Sequence, residues 1–172
     1  CTIYASSFLP FNLYLKKAEG VDARVDNLNS FYHWCSSRIL SPDRAYAKEI
    51  LNSIGAKQAT TDKERTAISL AYHCVTLTDV YWVKGYREQI TYDAINLFDH
   101  SLSDAFVDVS LRGKALTAQN AQLIAASDTA GDVAIQGAAP KAWVRRNGTF
   151  YLLKDGDEKE VDAELLASRI AR

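Results

Sequence analysis

Methionine is missing from all 172 residues of this chain, position 1 included. A translation product starts with one, so the chain is expected to be trimmed or to begin inside a longer protein. Cysteine is scarce too. Cys1, Cys35 and Cys74 are odd in number and widely spaced, which fits neither a zinc site nor a disulfide framework. That usage points to a reducing, cytoplasmic compartment, with Cys35 and Cys74 as small buried apolar residues. His33, His73 and His100 are too dispersed for a metal-ligand spacing and read as structural. No apolar run approaches the roughly 20 residues that span a bilayer, and residues 1–15 lack the basic start and apolar block of a signal peptide. No membrane partner is therefore expected. Charge of either sign is not in excess either. A net charge of −1 leaves no electrostatic footprint for nucleic acid, and Lys16-Lys17 and Arg145-Arg146 read as solvated surface.

What is present is an ordinary globular balance, 48% hydrophobic against 24% charged, which places the chain outside the disordered and fibrous classes. A chain of this length makes one to two domains and buries about 70% of its unfolded surface. Ile3-Tyr4 and residues 11–15 carry strand-type residues around Pro10 and read as two short strands. Leu28, Phe31, Tyr32, Trp34 and Cys35 recur at helical spacing, an aromatic face expected to be buried over 28–38. Ser41-Pro42 supplies a capping hydroxyl and a first-turn proline, Gly55 a stop, and Ala47, Ile50, Leu51 and Ile54 one apolar stripe between them. Thr61 and Glu64 form a capping box that opens a helix with Ala67, Ile68, Ala71, Cys74 and Val75 inward. Residues 78–83 read as one or two helical turns. Thr91 caps a short helix through Phe98, Ser103 another through Leu111 with Gly113 as its end, and 117–126 a last one. Small polar residues over 127–134 read as a linker.

Beyond it, residues 143–154 form a hairpin, because Asn147-Gly148 between two β-rich runs favours the type I′ turn. Alternation puts Phe150, Leu152 and Lys154 on one face of the second strand, Tyr151 and Leu153 on the other. A helix over 160–172 follows, with Val161, Leu165, Leu166 and Ile170 along one stripe. Nothing in the sequence covers that stripe, so a dimer through it is one expected arrangement. The fold class is thus α+β, a mostly helical N-terminal domain (1–126) followed by a hairpin and helix (127–172). Other chemistry finds no support: Ser36-Ser37 has no glycine-flanked elbow, and Asp155, Asp157 and Glu158 lack the calcium-loop register.

A small-residue turn, two strands, a lysine and a glutamate-bearing helix are the parts that hold nucleotide phosphates in protein kinases. In that order, Gly137-Ala-Ala-Pro140-Lys141-Ala-Trp143-Val144, Tyr151-Leu-Leu-Lys154 and Glu160-Val-Asp-Ala-Glu164-Leu-Leu-Ala167 resemble the N-terminal lobe of HipA-like serine/threonine kinases, toxins and toxin relatives of bacterial toxin–antitoxin systems. The motif covers about a fifth of the chain. Residues 31–44, 77–83 and 95–99 are similar to the helical N-terminal segments of the same family. The resemblance implies a phosphate loop at Gly137 to Lys141, a nucleotide-phosphate lysine at Lys154, and Glu160 as its ion-pair partner, with Glu164 as the alternative. It implies ATP and Mg²⁺ as cofactors, and an antitoxin or a separate kinase lobe as partner. Two departures accompany it. Ala134 stands where HipA toxins carry a regulatory serine, with Ser127 and Thr129 out of register. The catalytic base and magnesium ligands of the second lobe are absent, so this chain by itself is not expected to transfer phosphate. A non-enzymatic regulatory module that mimics the kinase lobe is the alternative expectation, and a DNA-contacting adaptor the least favoured.

Overall fold

A computed structural model describes residues 8–13, 15–16, 20–56, 59–100, 102–113 and 132–171. Among them the fold is α+β: helices α1 (Val21–Ser36), α2 (Ala47–Ser53), α3 (Asp62–Ala71), α4 (Tyr92–Ile95) and α5 (Asp104–Arg112), strands β1 (Lys141–Arg146) and β2 (Thr149–Lys154), then α6 (Glu158–Ile170). The strand expected at Ile3-Tyr4, the helix expected over 117–126, and Ser127 and Thr129 lie outside the described residues. No helix among the described residues is long and apolar enough to cross a membrane.

The two best-signalled helix starts form as their side chains dictate. Thr61 accepts from the Glu64 amide at 3.3 Å while the Glu64 carboxylate takes the Thr61 amide at 3.0 Å, so two orphan donors of α3 are satisfied reciprocally. At α5 the Ser103 hydroxyl accepts from the Phe106 amide, and Gly113 ends the helix at φ 58. Elsewhere the boundaries move. Residues 11–12 turn rather than extend, the Leu13 amide bonding the Pro10 carbonyl at 2.9 Å to bury Leu13. Helix α2 starts at Ala47, not near Pro42, because 41–46 are spent on turns that bury Arg44 and leave Tyr46 at φ 61. Residues 78–83 are not helical: the Asp79 carboxylate takes the Tyr81 amide and a fork of two 2.8 Å bonds from Arg38, which fixes an irregular, side-chain-bonded loop.

Two apolar clusters hold the helices. Ile39, Leu40, Ile50, Leu51, Ala59, Phe106, Val109 and Val133 form the larger, joining α2 and α5; Leu13, Trp34, Cys35 and Cys74 form the smaller. Helix α3 lies against α1 through Thr66 and Ser69 rather than Ala67 and Ala71, which face solvent. The reason is polar: the Thr66 hydroxyl donates to the Tyr32 carbonyl, and the Arg65 guanidinium donates to the carbonyls of Ser36, Ile39 and Leu40. Those acceptors are the orphan carbonyls at the end of α1 and just past it, so Arg65 supplies its C-terminal cap. The aromatic face of α1 divides accordingly, Trp34 and Cys35 buried, Leu28 and Tyr32 nearly half exposed.

Residues 132–136, part of which reads from sequence as linker, are bonded into the helical part. Val133 enters the larger core, and its carbonyl accepts the Leu40 amide at 2.7 Å. Asp132 is buried and takes the Thr76 hydroxyl and the amides of Leu77 and Ala134. Burial pushes its carboxyl above the usual range, against those donors. The Gln136 amide donates to the Ser37 and Ile39 carbonyls. From this anchored stretch the antiparallel hairpin departs, Ala142 paired with Leu153 and Val144 with Tyr151. Ala142 and Val144 are buried, and β1 packs on α5.

Candidate functional site

The site grows out of the turn between Ile135 and Lys141. Turns of this kind have carbonyls with no ladder partner, and here Arg44 supplies the donors. Its guanidinium donates to the Ile135 carbonyl at 3.1 Å and to the Lys141 carbonyl, bracketing the turn at both ends. The neighbouring Ala45 amide bonds the Ala138 carbonyl, in the middle, at 2.8 Å. Arg44 is only 3% exposed. Burial lowers its pKa to about 10, with Asp132 acting in the opposite sense, so it stays cationic at neutral pH. Its Nε is buried without a hydrogen-bond partner among the described residues.

Within the turn Gly137 takes φ 97, and a Cβ there would lie 2.6 Å from the Lys141 ammonium. The backbone angle calls for glycine, while the lysine tip could swing aside from a Cβ. Lys141 is directly opposite Lys154 in the hairpin register, so the two share a face with Trp143 and Leu152. The Trp143 Nε1 is buried and unpartnered among the described residues. This is not the core face: the Lys154 side chain is 41% exposed and stands at the surface, because Ala142 and Val144 of the opposite face take the core.

Lys154 Nζ meets the two Glu164 carboxylate oxygens at 2.5 and 2.6 Å. The first-choice partner Glu160 does not make this contact. Asp157 caps α6 by accepting the Glu160 amide at 3.0 Å, which fixes Glu160 in the first turn beside Gly156 and brings Glu164, one turn on, level with Lys154. Three cations and one carboxylate thus converge. Burial lowers the Lys141 pKa most, then Lys154, then Arg44, with Glu164 opposing them. A cluster that disfavours its own charge gains from an added anion.

Gly137, Lys141, Lys154 and Glu164 are therefore brought together, and Glu160 is set one turn aside. Arg44 is the member that sequence reasoning missed: its contacts cross 91 and 97 positions, and no local spacing announces them. The cations suit phosphate oxygens. For a metal the described residues offer no group of three or more His, Cys, Asp or Glu side chains, so a nucleotide's Mg²⁺ would find no ready ligand set among them. Ala134 donates its amide to Asp132 at 2.9 Å, a backbone role. Compared with protein-family models, curated proteins and solved structures, the chain gives no match.

Proposed function

We propose that this chain is the N-terminal part of a HipA-like protein serine/threonine kinase. In this reading it supplies the phosphate loop and phosphate lysine, and a separate lobe supplies base and metal ligands. The observation that carries the reading is the Lys154–Glu164 ion pair beside the Gly137 turn, with Lys141 on the same face. An exposed pair such as this one adds only about 0–1 kcal/mol to stability, so the fold does not depend on it. Lys154 would contact nucleotide phosphate oxygens, Glu164 would hold Lys154 in place, and Lys141 with the turn would cover the phosphates. Bound ATP would supply the phosphoryl group and its Mg²⁺ the charge neutralisation.

A second reading, a regulatory module that binds a kinase lobe or antitoxin, is supported by α6. No residue of that helix is buried, and Val161, Leu165, Leu166 and Ile170 are 44% to 77% exposed. Titration of a fluorescent ATP analogue into Glu164→Gln and Glu160→Gln separates the roles. Glu164→Gln is expected to weaken binding about tenfold, a loss of about 1.4 kcal/mol, and Glu160→Gln to leave it unchanged. Equal effects from the two variants would remove the assignment, and absence of nucleotide binding in the wild type would favour the module.

A further inference from the structure

Helix α6 carries two faces of different chemistry. On a helix of about 3.6 residues per turn, Val161, Leu165, Arg169, Asp162, Leu166 and Ile170 follow one another, in that order, across roughly half the circumference. Glu160 and Glu164 fall on the other half, and Glu164 is bonded there to Lys154 of the hairpin. The first face therefore points away from the hairpin. Its four apolar residues are exposed, and so are Asp162 and Arg169. Neither of those two side chains makes a hydrogen bond or ion pair among the described residues.

This face is complementary to itself. Read across from either edge it runs aliphatic, leucine, charge, opposite charge, leucine, aliphatic. Laid antiparallel on a second copy, about a two-fold axis between Leu165 and Leu166, it sets Leu165 against the partner's Leu166 and Val161 against the partner's Ile170. The same register sets Asp162 against the partner's Arg169. Each contact occurs twice, as an isologous interface requires. A slip of one turn in either direction sets a leucine against a charged residue instead. Parallel helices in register would oppose Asp162 to its own copy and Arg169 to its own copy. The helix ends agree: Glu158 and Glu160 lie in the first turn and Arg169 in the last, so antiparallel alignment brings unlike ends together.

We propose that this face of α6 is an interaction surface for a second copy of the chain, joined as an antiparallel, two-fold helix pair. Leu165 and Leu166 of both copies fill its centre. Two Asp162–Arg169 pairs between the copies close it on either side, each Arg169 stem lying over Leu165 of its own helix. Charge selects the occupant: aliphatic side chains alone would suit any apolar groove, whereas this row of charges is matched by the same row reversed. The surface is far smaller than the roughly 20–30 residues a side of a standard interface, so the pair is weak, with a Kd on the order of 10–100 µM. It lies opposite the Lys154–Glu164 pair and does not rest on the kinase reading.

Sedimentation equilibrium of the full 172-residue chain, with reductant and without nucleotide, tests the proposal. Over about 1 µM to about 1 mM the wild type is expected to pass reversibly from monomer to dimer. Asp162→Arg alone, or Arg169→Asp alone, sets like charges opposite one another and should weaken dimerisation at least about tenfold. An equimolar mixture of the two variants should dimerise as the wild type does, and so should the double variant by itself. Misfolded variants could not recover in this way. A wild type that stays monomeric throughout would overturn the proposal and leave the face to a different protein. Single variants that dimerise as tightly as the wild type would overturn it too, as would a mixture and a double variant that fail to recover.

Discussion

Arg44 joins pieces of chain that are 91 and 97 positions apart, and it does so with a buried charge. Removing it strands two turn carbonyls. Arg44→Ala is expected to cost about 2–4 kcal/mol in urea unfolding, and to raise amide exchange selectively over residues 135–141. A loss below about 0.5 kcal/mol would show that the turn keeps its shape without it. At this scale the sequence is legible where roles are local. Gly137 and Lys154 are found from their places in a turn and a strand. Glu160 and Glu164 are not separable in that way, since residues four apart share a helix face. Only the Asp157 cap, which fixes where α6 begins, decides which glutamate reaches the lysine. Arg44 left no signal, because side-chain bonds to distant carbonyls impose no periodicity.

Among the elements, those whose end signals act through neighbouring residues alone were legible. Helix α5 has its serine cap and its Gly113 stop, α3 has its capping box, and the hairpin has Asn147 at φ 50 and Gly148 at φ 79. Helix α2 and the 78–83 loop were misread because distant partners, Arg38 and the turn at 135–141, set their backbones. Two glycines give opposing expectations. A Cβ at Gly148 meets nothing within 4 Å, so Gly148→Ala should cost only its backbone strain, about 1 kcal/mol. A Cβ at Gly113 would overlap the ring of Tyr46 as well, so Gly113→Ala should cost clearly more in thermal melts. Equal costs would contradict the packing of the α5 end against Tyr46. The capping box adds a pH dependence. Glu64 is held below the usual carboxylate range by the Thr61 amide and hydroxyl and the Thr60 amide. With its folded pKa depressed, its contribution is full above the ordinary glutamate range and is lost as pH falls through the depressed value. Thr61→Ala should cost about 1 kcal/mol at neutral pH and flatten that acid-side decline in helical circular dichroism. An unchanged decline would place its origin elsewhere.

At the scale of the molecule, the hairpin packs on the helical part through β1 and α5, while the apolar residues of α6 are exposed among the described residues. Replacing Leu165 and Leu166 together by serine should leave unfolding within about 0.5 kcal/mol of wild type. A larger loss would mean that the helix contributes to the fold itself. Among the described residues a surface ion pair links α6 to Lys154, and the proposed function holds only if this pair serves a phosphate ligand. The decisive experiment is calorimetric titration of Mg²⁺-ATP into the wild-type chain and into Lys154→Ala. Measurable binding to the wild type is expected, weakened at least tenfold in the variant, while both melt at similar temperatures. Equal affinity in the two, or no binding to the wild type, would rule out a phosphate site at Lys154.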